Sequence, residues 1–197
     1  GTLSLNADNT FAGTTTVSEG TLDGTGSLDG DLTVAAGASI NPGDAGVGTL
    51  TVAGAVDLLG DLDVDLDPAG SDQLVIESTG SLNIDAASEV NLTGTIGSGN
   101  VTLIDNQAGA GTTTGQFANA AEGAVLNIDG QPVEADYVDE GTDSNDFTLI
   151  PAFKATNLDQ THAFGEGTVA AVPFDDIVVS GSTAVTPPVT NTTLYQD

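Results

Sequence analysis

The chain has no Cys, no Met, no Trp and no Arg, and its one Lys is Lys154. Without Cys, its stability is independent of redox state, and neither a disulfide scaffold nor a thiolate metal site is available. One Lys against 29 acidic residues gives a formal net charge of −28. Nucleic-acid binding is close to excluded, because phosphate contacts need cations on the protein. Anionic membrane surfaces would repel the chain for the same reason. No run of apolar residues approaches 18, so no membrane-spanning helix is expected. No signal peptide is recognisable, and the opening "GTLSL" reads as mid-repeat, as in a mature form or a fragment of a larger protein. Aromatic residues make up only 4% of the 197 residues.

What is present is Gly, Thr, Ser and small aliphatics. There are 26 Gly, and 39% of residues are hydrophobic. A core built from Leu, Val, Ile and Ala with many Gly turns suits short strands rather than helices. The pattern agrees. Apolar residues pair at i, i+2 in Leu3/Leu5, Leu32/Val34, Leu50/Val52, Leu62/Val64/Leu66, Leu74/Ile76, Leu82/Ile84 and Leu126/Ile128. Period two means strand.

The strands recur behind near-identical openings. Gly-Thr-Leu stands at 1–3, 20–22 and 48–50, and Gly-Ser-Leu at 26–28 and 80–82. Two or three such strands sum to a coil of roughly 20 residues, the repeat length of a solenoid. A β-sandwich also has short strands at this spacing. The solenoid is preferred because the openings are near-copies and the inward residues are small and aliphatic, as stacked coils about 4.8 Å apart require.

Composition changes late. Of the eight aromatics only Phe11 precedes Phe117. A regular solenoid needs an atypical end to close its core, so residues 109–151 read as the final coils and the start of a cap. The expected division is a solenoid over 1–151 and an extended, strand-containing tail over 152–197.

"GTLSLNADNTFAGTTTVSEGTL" (1–22) resembles the autotransporter-associated β-strand repeat. So do "GSLDGDLTVAAGASINPGDAGVGTLTV" (26–52), "SDQLVI" (71–76) and "VTLIDNQAGAGTTTGQFANAAEGAVLNIDGQ" (101–131). "YVDEGTDSNDFTLI" (137–150) is similar to the closing strand pair of such passengers. The resemblance spans about three quarters of the chain. It implies a right-handed parallel β-helix exported to the surface of a bacterium. Such passengers include adhesins, structural fibres and a few enzymes, so architecture is implied more sharply than activity. The family usually ends in a membrane β-barrel translocator, which the 46 residues after Pro151 are too few to supply.

The stretch "GDLDVDLDPAGSD" (60–72) is the one candidate for cation chemistry. On a strand, Asp61, Asp63, Asp65 and Asp67 share the outer face while Leu62, Val64 and Leu66 point inward. The plain reading is a solvated acidic stripe. The functional one is a row of bound Ca²⁺ held by Asp61, Asp63, Asp65, Asp67 and Asp72, with Asp57 or Asp85 contributing from a neighbouring coil. No EF-hand or calcium β-roll motif is present.

Catalytic groups are scarce. His162 is the only His, and there is no Gly-x-Ser-x-Gly around which it could form a triad. The expectation is therefore a non-enzymatic protein that requires no cofactor and acts as an extracellular, cell-surface β-solenoid. It would self-assemble end to end or by strand addition into a homo-oligomer or homopolymer, a fibre or surface layer. Ile177, Val178, Val179, Leu194 and Tyr195 are the apolar tail residues that strand addition would use. The alternative is an adhesin for glycans or other cell-surface proteins, bridged by Ca²⁺. Scarce aromatics in the repeat region count against a broad sugar-stacking face.

Overall fold

The computed structural model describes residues 1–109, 112–137 and 145–151. Contacts divide the chain into Gly1–Ala152 and Phe153–Asp197, and the description below concerns the first unit. The tail residues expected to serve assembly, Ile177, Val178, Val179, Leu194 and Tyr195, lie outside the described residues.

Fifteen short strands wind into five three-stranded coils. The first coil holds β1 (Thr2–Ser4), β2 (Asp8–Asn9) and β3 (Thr15–Val17). The second holds β4 (Gly20–Gly24), β5 (Ser27–Leu28) and β6 (Leu32–Val34), and the third β7 (Ala38–Pro42), β8 (Thr49–Val52) and β9 (Ala55–Leu58). The fourth begins with β10 (Asp61–Asp67), turns back through the two-residue β11 (Gly70–Ser71), and continues with β12 (Gln73–Ile76) and β13 (Ser81–Ile84). The fifth holds β14 (Val90–Gly94), β15 (Val101–Asn106) and β16 (Thr113–Thr114).

Equivalent strands pair in parallel from coil to coil. The first sheet runs β1-β4-β7-β10-β14, the second β2-β5-β8-β12-β15, the third β3-β6-β9-β13-β16. The protein is an all-β parallel solenoid, as the repeat pattern predicts.

Register makes the core. Leu3, Leu22, Ile40, Leu62 and Val90 are successive partners through the first sheet. They are 19, 18, 22 and 28 residues apart. The later coils are longer because their turns are longer; the stack itself does not change. Leu50–Leu74–Ile104 in the second sheet and Leu32–Val56–Leu82 in the third form further columns, all buried. Aliphatic side chains stack on one another without the gaps that large rings would leave in so narrow a coil.

The second of the Gly-Thr-Leu openings has a steric cause. Gly20 has φ +80°, and a Cβ there would strike the carbonyl oxygen of Gly1 on the coil before. Only Gly combines that backbone with so close an approach.

The far end changes character. β15 pairs antiparallel with β19 (Phe147–Pro151), β19 with β18 (Gln131–Asp136), and β18 with β17 (Val125–Ile128). The late aromatics meet here. Phe147 packs against Phe117 with centroids 5.2 Å apart and stacks on Tyr137 at 4.7 Å. The Tyr137 hydroxyl donates to the Ala120 carbonyl (2.9 Å) and accepts from the Phe117 N–H (3.0 Å). Burial pushes that phenol far above its ordinary value, so it stays protonated. This is the cap that the composition shift predicts.

Two substitutions grade the fold. Leu62→Ala empties a fully buried position and should cost about 2–5 kcal/mol in denaturant unfolding, whereas Leu3→Ala at the exposed end should cost well under about 1 kcal/mol. Tyr137→Phe keeps the ring but strands the Phe117 N–H, and should cost about 1–3 kcal/mol.

Candidate functional site

β10 is the longest strand, and its seven residues alternate as the sequence requires. Leu62, Val64 and Leu66 are buried; Asp61, Asp63 and Asp65 are half-buried and Asp67 exposed, all on the outer face. Neighbours two apart on a strand are about 6.5–7 Å apart, whereas Ca²⁺ holds oxygens at about 2.3–2.6 Å. A single ion therefore needs carboxylates from the adjoining coils.

The adjoining coils present something else. Asp61 lies opposite Ser39, Asp63 opposite Asn91, and Asp65 opposite Thr93. Asn91 Nδ2 donates to Asp63 Oδ1 at 2.8 Å, and the Glu89 N–H donates to Asp61 Oδ1 at 2.9 Å. Asp57 belongs to the third sheet, between Thr33 and Asn83. Asp85 follows β13 of that sheet, and its Oδ1 accepts the Ala87 N–H. Among the described residues no three His, Cys, Asp or Glu side chains come together as a metal-binding group.

The interleaving extends beyond β10. The outer column of the first sheet reads Ser4, Asp23, Asn41 and then, one coil further along the same register, Asp63 and Asn91. That of the third sheet reads Thr16, Thr33, Asp57, Asn83, Thr114. In every described strand pair, the residue directly opposite an Asp or Glu is uncharged. Like charges directly opposite would destabilise each step by about 0.2–1 kcal/mol. An intervening Asn, Thr or Ser roughly doubles the separation, to about 10 Å, near the screening length in physiological salt. The uncharged groups also bond the coils together. Thr21 and Ser39 hydroxyls meet at 2.9 Å, Ser27 donates to Asp8 at 3.2 Å, and Thr114 donates to Asn83 Oδ1 at 3.0 Å.

Asp72 plays a different part from the row it follows. It is fully buried where the β10–β11 hairpin returns to the stack. Its Oδ1 accepts the Gly48 N–H (2.8 Å) and its Oδ2 the Asp65 N–H (2.7 Å). With the Asn41 amide oriented to satisfy its surroundings, Asn41 Nδ2 also donates to Oδ2 at 3.0 Å. One carboxylate thus ties the third coil to the fourth. Desolvation raises its pKa above the ordinary value of 3.8, and the two backbone N–H bonds pull the other way.

Sequence reasoning did not single out Asn119. Its Oδ1 accepts the Val90 N–H (3.0 Å) and its Nδ2 donates to the Val90 carbonyl (2.8 Å). A side-chain amide occupies the place of the next peptide unit and satisfies Val90 on the last strand of the first sheet. No local signal marks it, because its partner lies 29 residues away.

Residues 1–23 match the family model of the passenger-associated-transport-repeat. They comprise the first coil and most of β4, the opening strand of the second. The likeness to autotransporter passenger repeats is therefore supported from both directions. Comparison with curated proteins and with solved structures returns no match.

Asn91→Asp would set two carboxylates about 4.8 Å apart across adjoining coils. It should cost about 1 kcal/mol at low salt, with the loss shrinking as NaCl or Ca²⁺ is added, as read by thermal unfolding. For Asp72, a raised folded pKa means that the folded state binds the proton more tightly than the unfolded chain. Its contribution is greatest at acid pH and is lost as pH rises from 3.8 through the folded pKa. Asp72→Asn should remove that slope from the pH dependence of urea unfolding. It should also cost about 1–3 kcal/mol at neutral pH, since one amide oxygen replaces two acceptors.

Proposed function

We propose that the chain is a non-enzymatic, extracellular structural element of a bacterial surface, a passenger-type β-solenoid acting as a stiff, hydrated rod. The observation that carries this reading is how the outer polar side chains are used. Asn, Thr and Ser bond from coil to coil between spaced carboxylates, so the faces hold the rod together along its axis. The remaining charge keeps the surface solvated and opposes lateral aggregation. The passenger repeat in the first coil supports export to the cell surface. The reading requires no cofactor.

Assembly into a fibre or surface layer is the finer part of the proposal. A fibre needs an adhesive contact at both ends of each subunit. Of the last described coil, β15 is extended by the antiparallel strands β19, β18 and β17. The contact proposed for a fibre is strand addition by the apolar tail residues Ile177, Val178, Val179, Leu194 and Tyr195.

Electron microscopy of native material, with and without millimolar Ca²⁺, tests the reading. Regular filaments whose dimensions do not depend on Ca²⁺ are the expected result; single short rods in both conditions would sink the assembly part of the proposal and point to a passenger fragment. Glycan-array binding that is abolished by EDTA would replace it with the adhesin reading, and turnover of a polysaccharide would overturn it.

A further inference from the structure

The coils lengthen at one corner only. From the first-sheet column to the second-sheet column, Leu3 to Asn9 and Leu22 to Leu28 each span 6 residues. Ile40 to Val52 spans 12, Leu62 to Ile76 14, and Val90 to Asn106 16. The other two corners stay short in every coil. They take 4 to 7 residues from the second sheet to the third, and 6 to 8 from the third to the next strand of the first. Stacking does not require the added residues, because the first two coils stack without them. In solenoids such insertions gather on one face, often the binding face.

The added residues form three loops, 43–48, 67–72 and 95–100, at successive levels of the stack. Each is fixed at its base. Gly43 exchanges both backbone hydrogen bonds with Gly24 (2.6 and 2.8 Å), the buried Asp72 accepts the Gly48 N–H, and the Thr95 N–H donates to the Leu66 carbonyl (3.2 Å) beside the buried Ile96. The loops also lie against one another. A Cβ at Gly70 would stand 4.0 Å from Val47 Cγ2, and one at Gly97 would stand 2.8 Å from the Pro68 carbonyl oxygen. Their tips, 44–47, 67–70 and 98–100, are exposed. Ala45 at the first tip has φ +58°, a left-handed backbone that a residue with a Cβ seldom adopts and that gathers at ligand-contacting segments. The corner is therefore a preformed ridge and not a set of independent loops.

Composition selects the partner. The three loops contain no aromatic residue, so they give a sugar ring nothing to stack on, and no Lys, Arg or His for a phosphate. Among the described residues no three carboxylates converge on a metal ion. The tips offer the Asp44 and Asp67 carboxylates, the 45% exposed Val47 side chain, and main-chain groups left open by Gly46, Gly70 and Gly99. That mixture of charge, apolar contact and accessible backbone suits a polypeptide. A net charge of −28 attracts a cationic one from a distance and repels a second copy of this chain. Two steps of the stack separate the first loop from the third, about 10 Å, the length of about three extended residues. We infer that this loop corner of the third, fourth and fifth coils is a docking edge for a short Lys- or Arg-bearing segment of another protein. The inference goes beyond the structural reading above and needs only that the coils stack as described. Its failure would leave the rod standing, because filaments are read by microscopy and docking by binding.

Fluorescence anisotropy with a short labelled peptide of alternating Gly and Lys, added to the full 197-residue chain, tests it. Saturable binding is expected. Asp44→Asn with Asp67→Asn should weaken it at least about fivefold. The control is Asp57→Asn with Asp85→Asn, on the third sheet, which removes the same charge. The pairs are matched in their hydrogen bonds: Asp44 and Asp57 each accept from an Asn side chain, and Asp67 and Asp85 each accept the N–H two residues on. The control should change binding less than about twofold. Hydrogen exchange gives a readout that needs no substitution: the peptide should slow exchange of the amides at 44–47 and 98–100 and leave the third sheet unaffected. No binding, equal losses in the two variant pairs, or protection spread over the acidic faces would each overturn the inference. The last two outcomes would reduce the attraction to net charge alone.

Discussion

Everything in this molecule follows from stacking in register. Each coil lies about 4.8 Å above the last, so a residue at one position sits against the equivalent residue of its neighbours. For an aliphatic side chain this repetition is favourable, because Leu on Ile on Leu leaves little void. For a carboxylate it is unfavourable, because the same geometry would build a column of like charges at hydrogen-bonding range. A chain with 29 acids and a single Lys has too few cations to neutralise such columns. The outer columns resolve the conflict by alternation, Asp23 then Asn41, Asp63 then Asn91. The inside repeats closely and the outside does not.

The same constraint explains why the ends matter. A stacked ladder has no natural stopping point, since every last strand offers unpaired backbone groups to the next. At the far end the chain reverses direction, spends its few aromatics on Phe117, Tyr137 and Phe147, and satisfies Val90 with the Asn119 amide. Buried polar residues complete the closure. Asn106 Nδ2 donates to the Thr112 and Thr113 hydroxyls, and Asn145 Nδ2 to the Ala108 carbonyl.

Period-two apolar pairs made the strands readable, because they are a local consequence of the pleat; of the Gly-Thr-Leu openings, Gly1 and Gly20 are one coil apart, whereas Gly48 opens β8 in the second sheet. The switch from solenoid to cap was readable in composition, since all the aromatics but Phe11 fall from Phe117 onward. What stayed hidden was set largely by partners 24 to 29 residues away. The row Asp61–Asp67 reads as outward-facing from its alternation alone, but whether each Asp meets charge or amide depends on coil lengths that vary from 18 to 28 residues. Asp72 looks in sequence like the fifth member of an acidic cluster. Only the hairpin at β11 carries it inward, to the amides of Gly48 and Asp65. Asn119 has no signal at all until Val90 is placed beside it.

Asn119 also has a bearing on how such a molecule varies in size. A lone carboxamide stands in for one peptide group and does not depend on how many coils lie beneath it. Length and termination are therefore separate properties of the architecture. Whole turns of the solenoid can be gained or lost below the stopper while the stopper, and the aromatic plug beside it, remain as they are. A rod of this kind can be lengthened by duplicating coils, without having to evolve a new way to end.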